Sequence, residues 1–317
     1  MLKTMLLGLS RVPAMKRAVT AFPLTRRVVD RFVAGETVDD CLRVTRELLA
    51  GRLLVTIDFL GEDTTTAAQA DRVTDTYVEL LDALAAEGLA DRVEVSIKLS
   101  ALGSQLNGGY ELALDNARVI CGAAQRAGTT VTVDMEDHTS TDATLRTVRT
   151  LRAQYPWAGA VLQAMLYRTS ADCREHLGEG QRVRLCKGAY AESADLAHHA
   201  KSAIDRNYKR CATLLLHGAG RPLFATHDGA MIEHVQAEAN RAGRTPASYE
   251  FQMLLGIRAD EQRRLAGLGH PVRVYVPFGT DWYAYFMRRL AERPANLLFL
   301  LRALVERPGK RRVTSGF

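Results

Sequence analysis

Leu53-Leu54-Val55-Thr56-Ile57-Asp58-Phe59-Leu60 is a run interrupted by polar side chains only at Thr56 and Asp58. Apolar at both alternate sets of positions, it reads as a strand buried on both faces, the pattern of a parallel sheet. Seven more such runs follow: Val93–Leu99, Thr129–Met135, Gly159–Met165, Arg182–Lys187, Pro222–Thr226, Tyr249–Leu254 and Val272–Val276. Helical patterns separate them. Ala67–Glu87 is the most periodic, with Val73, Tyr77, Leu80, Leu81 and Leu84 on one stripe. Tyr110–Ala127, Ala143–Gln154, Ser193–Leu216, Met231–Ala242 and Asp260–Leu268 also read as helices, and Ser170–Leu177 as a short link. Strands and helices in alternation predict an α/β fold, a (β/α)8 TIM-type barrel. A doubly wound open sheet competes, but the count of eight runs argues against it, and no GxGxxG fingerprint occurs. Residues 1–50 are expected to form an N-terminal helical arm, 51–305 the barrel and 306–317 a basic tail.

In such a barrel chemistry sits at the C-terminal ends of the strands. Those ends are unusually polar: Asp58, Lys98, Asp134-Met135-Glu136-Asp137-His138, Gln163, Arg184 with Lys187-Gly188-Ala189-Tyr190, Thr226-His227-Asp228, Glu250 with Gln252, and Tyr275. A lysine inside a buried strand must be paired or neutral, and Asp134 on the next strand is the expected partner of Lys98. A purely structural ion pair would explain one such couple. Lys98, Asp134, Arg184 and Lys187 together call for a functional reason. Asp134, Glu136 and His138 alternate and are expected to share one face of a strand. A metal there is disfavoured, because Lys98 and Arg184 oppose it and no HxH or HExxH accompanies it, so no metal is expected. His198, His199, His217 and His234 fall on helical stretches and read as surface or packing residues, whereas His227 sits at a strand end. Gly188 permits a close backbone approach, although a plain turn glycine would look the same.

Beyond the last strand, Tyr285, Arg288, Arg289 and Glu292 stand at i, i+3, i+4 and i+7, which places them on one helical stripe. A stripe at this spacing is usually apolar. Two arginines with planar forks suit a carboxylate or a phosphate, so the helix reads as an anion clamp.

The 317 residues are 47% hydrophobic and 25% charged, an ordinary globular composition, with net charge +6. The excess of basic residues is spread along the chain apart from Lys310-Arg311-Arg312, so no nucleic-acid partner is expected. Three charges are a weak membrane signal. Cys41, Cys121, Cys173, Cys186 and Cys211 are odd in number and form no CxxC, which fits reduced thiols in the cytoplasm. No apolar run approaches the ~18 residues of a membrane-spanning helix. Lys3, Arg11, Lys16 and Arg17 interrupt the N-terminal apolar residues, so no secretory signal is read there.

Arg184-Leu185-Cys186-Lys187-Gly188-Ala189-Tyr190, Phe224-Ala225-Thr226-His227, Tyr249-Glu250-Phe251-Gln252-Met253-Leu254 and Tyr285-Phe286-Met287-Arg288-Arg289-Leu290 closely resemble the motifs of the proline dehydrogenase family. The resemblance is to the bacterial stand-alone form and to the corresponding domain of the bifunctional proline utilisation A proteins, and it covers nearly all of the chain outside the arm. It implies a distorted barrel that holds FAD non-covalently and oxidises L-proline to Δ1-pyrroline-5-carboxylate, the first step of proline catabolism to glutamate. It implies hydride transfer to flavin N5, with reoxidation by a membrane quinone. A cytoplasmic protein peripherally associated with the membrane and a separate pyrroline-5-carboxylate dehydrogenase downstream follow from the same resemblance.

By position, the resemblance makes Asp134 and Arg184 catalytic, with Asp134 orienting Lys98 and Arg184 near flavin N5. Lys98, Arg288 and Arg289 would hold the proline carboxylate, and Tyr275, Tyr285 and Leu254 would wall the pyrrolidine ring. Met135, Gln163, Arg184, Lys187, Gly188, Ala189, Thr226, His227 and Glu292 would bind the cofactor. Leu255 stands where many members carry tyrosine. Its side chain is expected to point away from that of Leu254. Two other classes compete: a flavin-free barrel taking a phosphorylated substrate at Arg288 and Arg289, and a barrel that binds without catalysis.

Overall fold

The computed structural model describes residues 29–61 and 64–292, the last five of these by their backbone alone. The expectations for residues 1–28, for the basic tail and for the side chains of Arg288, Arg289 and Glu292 lie outside the described residues.

Each apolar run forms a strand: β1 (Leu54–Phe59), β2 (Val93–Ile97), β3 (Thr130–Val133), β4 (Gly159–Gln163), β5 (Arg182–Cys186), β6 (Arg221–Ala225), β7 (Glu250–Leu254) and β8 (Val272–Phe278). The strands pair in chain order into a closed barrel, and every pairing is parallel. β1 joins the ends, with Ile57 opposite Val95 on β2 and Val276 on β8. Around it run α1 (Val38–Ala50), α2 (Ala67–Ala86), α3 (Gly109–Ala127), α4 (Thr141–Arg152), α5 (Thr169–Glu175), α6 (Lys201–His217), α7 (Gly229–Arg241), α8 (Ala259–Gly267) and α9 (Trp282–Glu292). The structure is therefore the expected TIM-type barrel. Its main apolar core lies outside the barrel wall, where Val55, Ile57, Val95 and Ile97 pack with helix residues such as Leu80, Leu81 and Leu84.

Thr37 and Asp40 close a capping box at the start of α1, whose Cys41, Leu42 and Leu49 enter that core. The backbone just before α1 lies along the end of β8: Ala34 N–H donates to the Pro277 carbonyl and Gly279 N–H to that of Gly35.

Two local expectations fail for identifiable reasons. The helix expected from Ser193 begins only at Lys201, which leaves His198 and His199 in a loop. Tertiary bonds claim that backbone: His198 N–H donates to the Met165 carbonyl, Tyr167 N–H donates to that of Leu196, and Ala197 bridges to Leu166. β3 stops at Val133, before the supposed alternation Asp134–Glu136–His138. Asp137 ends the extended chain by capping the short turn of helix at His138–Ser140, its side chain accepting from Thr139 N–H.

The barrel interior is not the aliphatic filling usual for this architecture. Glu94 on β2 accepts from Arg182 and Arg184 across the barrel on β5 and from Thr56 on β1, so these side chains point inward. Glu250 on β7 accepts from Arg273 Nε on β8 at 2.7 Å. Both glutamates have no exposed surface. Such burial is tolerable only because each carboxylate meets guanidiniums. Burial alone would raise the Glu94 carboxyl, but Arg182, Arg273 and Arg184 outweigh it and hold it well below the usual carboxylate range.

Candidate active site

Above this charged layer, at the C-terminal ends of the strands, lies a cavity of about 770 Å³. Its size suits a small-molecule or cofactor pocket. Asp134, directly after β3, is held from three sides. Tyr275 Oη on β8 donates to Oδ2 at 2.7 Å, and Arg184 Nη1 and Ser96 Oγ donate to Oδ1 at 2.7 and 2.8 Å. Arg184 thus ties the cavity to the layer below, since its Nη2 donates to Glu94 at 2.9 Å. Burial disfavours its charge, yet Asp134 and Glu94 more than compensate and push its pKa further up. Burial, reinforced by Asp134 and Asp58, raises the Tyr275 hydroxyl well above its ordinary value, so it remains a donor.

The expected pairing of Lys98 with Asp134 is the longer of two. Lys98 Nζ stands 3.8 Å from Asp134 Oδ2 but donates to both oxygens of Asp58 at 2.6 Å. Asp58 was legible as polar but carried no role in the sequence reading. The available signal was its alternation with Thr56, which puts both inside the barrel.

On the opposite side, Lys187 follows β5 and donates to Asp205 of α6 and to Asp228 Oδ2 at 2.7 Å. Asp228 also caps α7 through Ala230 N–H, and the Lys187 contact holds its carboxyl down to about 2. Gly188 has φ +101, and a Cβ there would fall 2.5 Å from Met165 Sδ, so this turn admits no side chain. Its own backbone lines the cavity instead. His227 Nε2 accepts from Leu254 N–H at 2.9 Å, which places the proton of the neutral ring on Nδ1. Gln163 donates to the Glu136 carbonyl at 2.7 Å.

Lys98, Asp134, Met135, Gln163, Arg184, Lys187, Gly188, Ala189, Thr226, His227, Leu254, Tyr275 and Tyr285 all line this one cavity. Arg288, Arg289 and Glu292 follow Tyr285 on α9, their side chains outside the described residues. Besides Asp58, the cavity wall includes Tyr190, Asp228 and Gln252, to which the sequence reading gave no role. Leu254 faces the cavity while Leu255 packs against the apolar core, as their alternation requires.

Glu136 and His138 do not share a face with Asp134. Glu136 accepts from Ser100 N–H and Oγ, and His138 meets Glu192. Among the described residues no group of three His, Cys, Asp or Glu side chains could hold a metal ion, and no helix is long and apolar enough to cross a membrane.

Comparison with known proteins converges on one family. The family model "Proline dehydrogenase" matches residues 41–302. Proline dehydrogenase 1 of Bacillus subtilis subsp. natto is 37% identical over 308 residues, covering 97% of this chain and 100% of that protein. Proline dehydrogenase of Deinococcus radiodurans is 38% identical over 282 residues, covering 88% and 90%. Among solved structures, proline utilization A from Bdellovibrio bacteriovorus inactivated by N-propargylglycine superposes with TM-score 0.79 at 25% identity over 84% of this chain. The present chain spans 33% of the length of that larger protein.

Proposed function

The chain belongs to the proline dehydrogenase family and is an oxidoreductase of proline catabolism; on that premise we propose how its cavity divides the work. The substrate is L-proline and the product Δ1-pyrroline-5-carboxylate. FAD, bound non-covalently, would supply the hydride acceptor at N5 and pass the electrons on to a membrane quinone, which the cytoplasmic protein meets peripherally. The observation that carries this reading is the convergence of Lys98, Asp134, Arg184, Lys187, His227 and Tyr275, borne on or just after β2, β3, β5, β6 and β8, on one cavity.

The residues present fit the cofactor. The backbone of 187–189 lines the β5 side without a side chain at Gly188, so a planar ring can approach it closely. Arg184 and Gln163 offer N–H groups on that side, and Arg184 would offset negative charge that reduction brings. Lys187, Thr226 and His227 would hold further parts of the cofactor, with Met135 packing against it.

On the substrate side, Lys98 offers an ammonium beside the aromatic wall of Tyr275 and Tyr285, with Leu254 supplying apolar surface for the ring. Arg288 and Arg289 stand three and four residues after Tyr285, so helical spacing puts them on its stripe. We assign them the proline carboxylate and Glu292 a supporting contact, a pairing that suits the planar guanidinium. Two-point holding of carboxylate and ring would fix the orientation of the reacting carbon. Asp134, held by three donors, orients this end of the cavity through Tyr275 and Arg184 rather than by taking a proton. The test is an absorbance spectrum of the purified protein loaded with FAD, with and without L-proline under anaerobic conditions. Bleaching of the flavin band is expected. A protein that takes up no FAD refutes the cofactor assignment, and one that holds FAD without bleaching refutes the substrate.

A further inference from the structure

Asp58 faces the cavity and has no part in the roles assigned above. Its side chain is 2% exposed, and that of Lys98 10%. Both of its oxygens accept from the Lys98 ammonium, which among the described residues also stands 3.8 Å from Asp134. Resting on the proline reading of this cavity, we propose that Asp58 is a positioning residue. It fixes the Lys98 ammonium toward the substrate carboxylate and keeps it from collapsing onto Asp134.

Lysine is a point charge on a flexible stem with three rotatable donors, so its aim must come from its partners. Among the described residues two carboxylates compete for it. Asp134 already accepts from three donors, Tyr275 at Oδ2 and Arg184 and Ser96 at Oδ1. A lysine pulled onto it would crowd Tyr275 at Oδ2 and withdraw from the substrate. Asp58 holds the ammonium on the other side.

The framework around the pair supports the assignment. Tyr77 of α2 is 1% exposed. Its hydroxyl accepts from Phe59 N–H at 3.0 Å and donates to the Ser96 carbonyl at 2.6 Å. It therefore clamps the backbone one residue after Asp58 and two before Lys98. Asp58 stands opposite Ser96 in the β1–β2 register, so Lys98 lies one inward-facing step beyond it. The lysine stem leans back to meet the carboxylate.

The test uses FAD-loaded protein and cyclopentanecarboxylate, a ring carboxylate with no nitrogen to oxidise, titrated by calorimetry. Asp58→Asn should weaken binding about tenfold, a change of about 1.4 kcal/mol. Asp58→Glu keeps the charge but moves it by a methylene and should fall between wild type and Asp58→Asn. In a Lys98→Met background Asp58→Asn should add nothing, because both act through one ammonium. In turnover Asp58→Asn should raise the KM for proline far more than it lowers kcat. Wild-type affinity in Asp58→Asn, or effects that simply add to Lys98→Met, would overturn the proposal. If Asp58→Asn does not fold, wild-type affinity in Asp58→Glu overturns it equally. Wild-type protein that neither binds the carboxylate nor reduces FAD with proline refutes the functional reading, and this inference with it. Wild-type protein that reduces FAD with unchanged Asp58 variants refutes this inference alone.

Discussion

The lower and upper halves of the barrel interior use the same side chains to different ends. Below, Glu94 and Glu250 are enclosed by Arg182, Arg184 and Arg273, with Thr56 and Gln252 adding further bonds. Above, Asp58, Lys98, Asp134 and Tyr275 form an equally bonded set, but they border the cavity. The carboxylates of the lower set bond within their own layer and hold the strands together, and of its arginines Arg184 alone also reaches Asp134 and the cavity above. The upper set has one side left for a ligand. A charged residue inside a strand is therefore no sign of catalysis. The sign is a charged residue whose bonded neighbours still leave it facing a cavity.

The largest expected effect breaks the lower half. Glu94→Gln leaves Arg182 and Arg184 without their shared carboxylate and should cost about 3–5 kcal/mol of stability, read from urea unfolding. A loss below about 1 kcal/mol would show that this layer does not hold the strands together. In the upper half, Asp134→Asn should lower kcat/KM about 10²–10³-fold, the scale for removing one preorganised electrostatic group. Unfolding should be affected less than in Glu94→Gln. The reverse order of the two stabilities would erase the distinction between the halves.

Tyr275→Phe removes only the 2.7 Å hydrogen bond to Asp134. It should cost about 1.5–3 kcal/mol in kcat/KM, the range for a bond to a charged group, while FAD content stays at the wild-type level. The smallest effect is at the rim. The Asp228 carboxyl is held down to about 2 by Lys187, so its folded pKa lies below its unfolded one. Its stabilisation is full above the unfolded value of about 3.9 and is lost as pH falls toward the folded value. The difference in Tm between wild type and Asp228→Asn should be constant near neutrality and shrink below about pH 4. A difference that grows on acidification would contradict the ion pair.

The strands were legible because residues buried on both faces leave nearly unbroken apolar runs. The start of α6 was not. Apolar periodicity continued back to Ser193, but the backbone of 196–198 bonds to the chain after β4 instead of to itself. The cavity-lining motifs after β5 and β6 were legible because polar side chains clustered where a buried apolar strand ends must face either solvent or a ligand. The grouping of charges was not. Lys98, Asp134, Arg184 and Lys187 read as one constellation, yet Lys187 turns to Asp205 and Asp228 at the rim, and Lys98 prefers Asp58.

The sequence by itself determined the barrel, the end of it that carries the site, and the family, because each rests on local patterns: apolar runs, strand-end polarity and contiguous motifs. The tertiary structure decided which charge answers which. Barrel closure brings β2 opposite β5 and β8 beside β1, while the register of the neighbouring strands β1 and β2 sets Asp58, not Asp134, against the lysine. Ion pairing depends on distances of a few ångströms across the barrel, and residues far apart in sequence acquire those distances only when the last strand meets the first.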